Sequence, residues 1–318
     1  SQIGFTPVHL LAFQHILQFN VLLTSSLLVV FSLACVGIGL VAADRVFTYN
    51  IGARTEQITT IKKEKLIHRV LQRIIPGDFG TLVVTCFKDF FRKASNLSKI
   101  VYGISLAAIL PFVMFSFSIG LGYELDLMTL LLIGGTGMAI SGSFAFSGTA
   151  FMESEDQLWI IQSTPSGTQR FVKARLVTAL IIALPLGIIP AFIMMILMGG
   201  SVGLFVFLFA YGYIITCGAI LFSMGVTTFN PHYENMKSPQ HQSNIIISTM
   251  GVQFILLAPI SGLIFGDIFG LPFWGLLMTS MGVAGIPVVL SFMNMTSLLV
   301  IGSMTLIVGT HRLAQVAV

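Results

Sequence analysis

Apolar runs of about 20 residues, each long enough to cross a ~30 Å hydrocarbon core, recur along this chain and leave few folds open to it. Val21–Ala43, Ile100–Gly122, Leu127–Ala150, Leu176–Met198, Ser201–Val226 and Ile245–Phe265 are such runs, and Gly266–Gln315 is a longer apolar stretch broken by Pro272, Gly282, Gly285 and Pro287. A length of 318 residues would otherwise suggest two or more soluble domains. Composition overrides that: 9% of residues are charged, against about a quarter in soluble domains, and mean hydropathy is +0.95. The expected fold is an all-α, polytopic membrane protein. A net charge of +4 points only weakly to nucleic acid, and none is expected as a partner because the bases collect in loops. Cys35, Cys86 and Cys217 are scattered and odd in number, so neither a disulfide framework nor a metal site is expected. His9 and His15 do not share a helical face. The chain opens at Ser1 with no positive charge ahead of its first apolar run, so no signal peptide is expected and the start reads as lying inside a longer protein.

Two polar regions stand out. Asp44–Lys99 is the long one. Its Lys62-Lys63-Glu64-Lys65 run, with His68, Arg69 and Arg73, reads as a basic cytosolic linker, or as a contact with anionic headgroups. Pro76-Gly77-Asp78 breaks it, and Asp78 is placed to cap the next helix. In Gly80–Lys99 the residues Leu82, Val83, Cys86, Phe87, Phe90 and Phe91 recur at helical spacing, with Lys88, Asp89, Arg92 and Lys93 on the other side. That pattern predicts an amphipathic helix in the interface plane. The second region, Glu153–Arg175, opens with Glu153, Glu155 and Asp156 and carries Leu158-Trp159-Ile160-Ile161. It turns at Thr164-Pro165-Ser166-Gly167 and closes with Arg170, Lys173 and Arg175, the acid-to-base order that complements a short helix's dipole. A solvated loop with Trp159 at headgroup level is the plainer reading of the same residues.

The positive-inside rule orients the spans. With Asp44–Lys99 cytosolic, alternation puts Glu153–Arg175 and Thr227–Asn244 on the same side, while Glu124, Asp126 and Asp267 fall outside. Arg312 joins the other bases if Gly266–Leu290 re-enters the outer leaflet as a hairpin without crossing. No Asp, Glu, Lys, Arg or His falls at mid-membrane depth, which argues against a proton-driven transporter. An intramembrane hydrolase is disfavoured too, because it needs a nucleophile with its base. Small residues such as Ser141-Gly142-Ser143 are expected to serve helix packing. Gln253 and Asn294 could bond across helices. No phosphate-binding G-x-x-x-x-G-K-[ST] loop is present, so energy for transport would have to come from another subunit.

The order of elements resembles the permease subunits of type II ATP-binding-cassette exporters. The likeness lies in an "elbow" helix (Phe79–Asn96) running into a span, a second span, and an insert of the form E-x-E-x-x-L-W…S-x-P (Glu153, Glu155, Leu158, Trp159, Ser163, Pro165). Four further spans come after it, with a re-entrant hairpin before the last. Phe229, Asn230, Pro231 and Tyr233 are similar to a cytosolic F-N-P-x-Y loop of bacterial and archaeal members. The chain lacks the Glu-x-Gly-Thr opening that many members show at the insert. The resemblance covers about Phe79–Ala317. It implies about seven transmembrane helices in all, an elbow, a cytosolic coupling helix and a six-span domain over 79–318. Residues 1–78 would be the last span of a preceding half plus a basic linker, as in double-length permeases.

By the same resemblance, Glu153, Glu155 and Asp156 would face basic groups of a partner ATPase. Leu158, Trp159 and Ile161 would fill its groove, and Pro165 would fix the exit turn. Phe87, Lys88, Phe91, Arg92 and Lys93 would be elbow contacts. The chain itself would bind no cofactor and catalyse nothing, with ATP held by the ATPase. A second permease half or a homodimer partner is implied, in the cell membrane. Cargo in such families includes drugs, glycolipids, polysaccharides and peptides. The alternative, from a different class, is an assembly or anchoring subunit that transports nothing.

Overall fold

The computed structural model describes residues 66–92, 94–121, 127–147, 163–198, 200–231, 238–268 and 272–315, which from Ile67 onward belong to one compact unit. The regular elements among them are all helices: α1 (Leu66–Ile74), α2 (Asp78–Arg92), α3 (Ala94–Leu121), α4 (Leu127–Phe146), α5 (Gly167–Ile182), α6 (Leu184–Leu197), α7 (Val202–Phe229), α8 (Pro239–Ile268) and α9 (Pro272–Gln315). Val21–Ala43 and the acidic and apolar core of the insert, Glu153 to Ile161, lie outside the described residues.

Among the described residues, four stretches are long and apolar enough to cross a membrane: Asn96–Val113, Gly167–Ile196, Val202–Phe229 and Val289–Gln315. Leu131–Phe146 is also apolar but shorter. The outer faces of these helices and of α8 show large apolar side chains to the surroundings, among them Phe192, Val206, Phe254 and Met304. An apolar surface of this extent fits a membrane protein.

Contacts between neighbours fix the directions of the helices. The Tyr102 ring lies tilted against that of Phe144, with centroids 5.3 Å apart, and Lys99 Nζ donates to the Ser147 carbonyl at 3.5 Å, so α3 and α4 are antiparallel. Phe192 meets Phe205 while Tyr213 reaches Leu180, so α5–α6 runs antiparallel to α7. Asn244 Nδ2 donates to the Asn230 carbonyl at 2.9 Å, setting α8 against α7. By contrast α7 and α9, which share the most extensive helix–helix contact, are parallel: Gly218 faces Leu298, Gly225 faces Thr305 and Leu306, and Gly309 faces Thr228.

The chain therefore passes up and down, and the start of α3, the end of α4, the start of α5, the end of α7 and the end of α9 share one end of the bundle, the insert end. Arg170, Lys173, Arg175 and Arg312 collect there, and the Arg312 guanidinium sits 4.1 Å from the centroid of the Phe229 ring. Arg312 thus lies on the side that the charge rule requires. Residues 272–290, expected as part of a re-entrant hairpin, form the first part of one continuous 44-residue helix. At 1.5 Å per residue that helix is ~66 Å long, about twice a bilayer core. Gly282, Gly285 and Pro287 lie within it, the residue types at which long helices bend.

The span expected at Leu176–Met198 starts earlier and is broken. Helix begins at Gly167, so the closing bases of the insert are its first turns: Arg170 and Lys173 point outward while Phe171, Val172 and Ala174 are buried. The break falls at Ala183, where Leu186 N–H bonds the Ala183 carbonyl at 2.9 Å in a tightened turn and Pro185 opens α6. Proline supplies no N–H of its own. In lipid a carbonyl at such a break needs a donor; Pro185 removes the one for Ile181, and beside it the Tyr213 hydroxyl donates to the Leu180 carbonyl at 3.0 Å. Tyr213→Phe is expected to destabilise the protein by about 1 kcal/mol, rising towards ~3 kcal/mol if that carbonyl stays unpaired. An unchanged melting midpoint in detergent would mean that Leu180 finds another donor.

Two packed clusters fill the bundle. One, at the insert end, joins Val83, Cys86 and Phe90 of α2 to Phe146, Phe171, Ala179, Met224 and Leu313. The other lies further along, around Leu131, Met138, Met194, Leu208, Ile215 and Leu298. Small residues line the seams, as expected for Ser141-Gly142-Ser143. Ser141 Oγ bonds the Gly137 carbonyl at 2.7 Å, and Ser223 Oγ donates to Ser143 Oγ at 2.8 Å across α4 and α7. A Cβ on Gly142 would meet Thr216 Cγ2 at 2.8 Å.

Candidate functional site

The polar chemistry of the described residues concentrates at the insert end, where α2 meets α5. The chain break at Pro76-Gly77-Asp78 is local geometry. Gly77 takes φ 88°, a left-handed conformation that only glycine adopts without cost, and α2 starts at Asp78 with its acid in the first turn. The predicted apolar ridge of α2 then divides. Val83, Cys86 and Phe90 are buried in the protein, Phe87 is half-buried and Phe91 is 45% exposed. The sequence pattern suits a helix lying in the interface plane. Val83, Cys86 and Phe90 on its apolar face pack on α4 and α5, and Phe91 with the exposed Arg92 forms the outward edge. The Phe87 and Phe91 rings are 4.7 Å apart, and Phe90 stacks on Phe146 at 5.8 Å. Lys88 is half-buried, and Lys93 lies outside the described residues.

Asp89 is placed differently from the sequence expectation. The helical spacing puts it among the polar residues facing away from the apolar ridge, yet its carboxylate stands 3.9 Å from the Arg175 guanidinium, with side-chain exposures of 31% and 13% respectively. Arg175 also lies 5.2 Å from the centroid of the Phe171 ring. The Thr178 hydroxyl donates to the Ala174 carbonyl at 2.8 Å and comes within 3.3 Å of the Val83 carbonyl on α2. Asn96 Nδ2 donates to the Phe90 carbonyl at 3.3 Å, tying the end of α2 to the start of α3. The helix that leaves the insert is thus fastened to α2 by an ion pair and by packed apolar side chains. Nothing in the sequence marks Asp89 and Arg175 as partners.

Between these groups lies a cavity of ≈ 20 Å³ lined by Cys86, Phe90, Phe146, Arg175, Thr178, Ala179 and Met224. That is room for one water, for which Arg175 Nε, buried with no hydrogen bond to protein, is a ready donor. Burial pushes the Cys86 thiol above its ordinary value, while the positive charge of Arg175 pulls it down. A thiol so held stays protonated and unreactive at neutral pH.

At the insert's exit, Pro165 lies exposed in the turn Thr164-Pro165-Ser166-Gly167, closed by Gly167 N–H to the Thr164 carbonyl at 3.0 Å. Ser166 takes φ 59° there, a left-handed conformation unusual for a residue with a Cβ. The F-N-P residues fasten the same end of the bundle. Phe229 receives the Arg312 guanidinium, and Asn230 and Asn244 exchange hydrogen bonds, with Asn230 Nδ2 3.1 Å from Asn244 Oδ1. Pro231 comes directly after.

Comparisons with known proteins return nothing: no family model, no characterised protein and no solved structure matches the chain.

Proposed function

We propose that the chain is the membrane-spanning permease subunit of an ATP-driven exporter in the cell membrane, coupled to a separate ATPase through the insert Glu153–Pro165. The observation that carries this reading is the attachment of α5, which leaves the insert, to α2 through Asp89 and Arg175, below a break at Ala183. A force on the insert would move α2 and α5 together and turn them about Ala183–Pro185, while the closely packed α7–α9 pair holds its shape. Glu153, Glu155 and Asp156 face basic groups of the ATPase in this reading, and Leu158, Trp159 and Ile161 enter its groove. α2 is the elbow, the full chain carries about seven spans, and the part of α9 ahead of Gly282–Pro287 is the outer segment. Two such permease halves line one pathway. ATP binds the partner only.

The test is charge reversal in the insert. Glu155→Lys with Asp156→Lys is expected to abolish co-purification of an ATPase in mild detergent while membrane insertion is unchanged. Retained association would remove the coupling role. Co-purification of the unaltered chain with other membrane subunits and no ATPase would support the anchoring alternative.

A further inference from the structure

The short helix α1 is absorbed by neither the bundle nor the coupling scheme. At nine residues it is far too short to span. Leu71, on its inner side, is buried, yet Val70 and Ile74, one helical turn apart, are 46% and 70% exposed. Half of an apolar stripe is therefore used against the protein and half is left open. The helix is not loosely attached. It enters α2 through the Gly77 turn, and the Ile75 carbonyl touches the backbone at Gly80 so closely that no Cβ would fit.

Charge indicates what covers the open half. Lys62, Lys63, Lys65, Arg69 and Arg73 set five bases against the single acid Glu64 between Lys62 and Gly77, and Arg73, next to Ile74, is exposed. A base-flanked apolar stripe on a helix that cannot span is the pattern of an element lying in a membrane interface. α1 also leads into α2, which packs on α5 at the insert end, where Arg170, Lys173 and Arg312 gather. The leaflet with the negative surface potential lies on that side of a membrane protein with this charge asymmetry.

We propose that α1 is a surface anchor on the inner leaflet, binding anionic lipid with Val70 and Ile74 at the acyl boundary and Arg73 at the phosphates. The bases around it in sequence add long-range attraction. This reading rests only on the chain being embedded in a membrane and is independent of the exporter proposal.

The experiment uses the full chain in nanodiscs, either of phosphatidylcholine alone or of equal parts phosphatidylcholine and phosphatidylglycerol. An environment-sensitive fluorophore is placed at Ile74→Cys, with the unsubstituted chain as the labelling blank for the native cysteines. The expected result is several-fold stronger quenching by spin-labelled lipid in the anionic discs than in the neutral ones, with protection there from aqueous iodide. Adding Arg69→Glu and Arg73→Glu should return the probe to iodide. Iodide access in both lipids would overturn the proposal, as would lipid quenching of equal strength in both. Protection from both quenchers would also overturn it, since a protein surface would then be the cover.

Discussion

Leucine at Gly225 or Gly302 is expected to leave little protein that survives extraction as a single monodisperse species. A Cβ at Gly225 would lie 2.7 Å from the Leu306 nitrogen and 2.7 Å from the Thr305 carbonyl carbon, and one at Gly302 would lie 2.7 Å from the Gly218 carbonyl oxygen. These are backbone atoms, which cannot rotate aside as a flexible side chain can. Overpacking a core costs about 1–3 kcal/mol when neighbours can yield, so each change should reach or exceed ~3 kcal/mol, a large share of the ~5–15 kcal/mol of a typical domain. Close backbone approach through small residues favours helix association in lipid, and here it joins α7 to the last helix, α9. Gly203→Ala is the control. Its Cβ would meet only Ser201 Oγ, at 3.7 Å, and alanine favours helix over glycine. Gel filtration and the melting midpoint in one detergent read both. A Gly302→Leu protein that elutes and melts like the parent would mean that α7 and α9 are not packed in this register.

The same seam marks how far the sequence could be read. Run length and hydropathy located α3, α4, α7 and α8 closely, because a ~30 Å apolar layer dictates length and needs no tertiary information, whereas the span expected from Leu176 begins at Gly167 and is divided at Ala183. Pro76-Gly77-Asp78 and Thr164–Gly167 were legible as turns for a similarly local reason. Tertiary events were not. Pro111, Pro190 and Pro259 lie inside helices, whereas Pro185 accompanies a break. The break has its own hydrogen-bond donor, Tyr213, in another helix. The sequence shows several similar prolines and no sign of which one has such a partner. Likewise α2 has the amphipathic pattern of a lipid-lying helix, yet its apolar side is mostly spent on α4 and α5, since a pattern reports that a face will be covered without naming the cover. The side on which Arg312 ends was legible from charge. The continuous course of α9 was not, because Gly and Pro serve equally as breakers and as bend points.

Arg175→Glu is expected to disrupt the insert end more than any other single charge change among the described residues. It would place two carboxylates where an ion pair now stands 3.9 Å apart and would remove the cation from the Phe171 ring. Exposed ion pairs are worth ~0.2–1 kcal/mol, and breaking a buried one costs ~3–5 kcal/mol. With Asp89 about a third exposed and Arg175 nearly buried, simple loss through Asp89→Asn should fall between these, near ~2 kcal/mol, and the reversal above it. The exchange Asp89→Arg with Arg175→Asp should recover part of the loss, although the shorter acid on α5 cannot restore the same reach. A double-mutant cycle on melting midpoints isolates the coupling, and zero coupling would leave α2 and α5 joined by apolar packing alone. The functional consequence differs from the stability one. If the chain is the permease proposed above and the two helices transmit motion from the insert as a unit, a variant that still folds and still binds the proposed ATPase should lose ATP-driven transport out of proportion to its melting point. A variant that is merely less stable would lose both together, so that comparison separates a transmitting contact from a structural one.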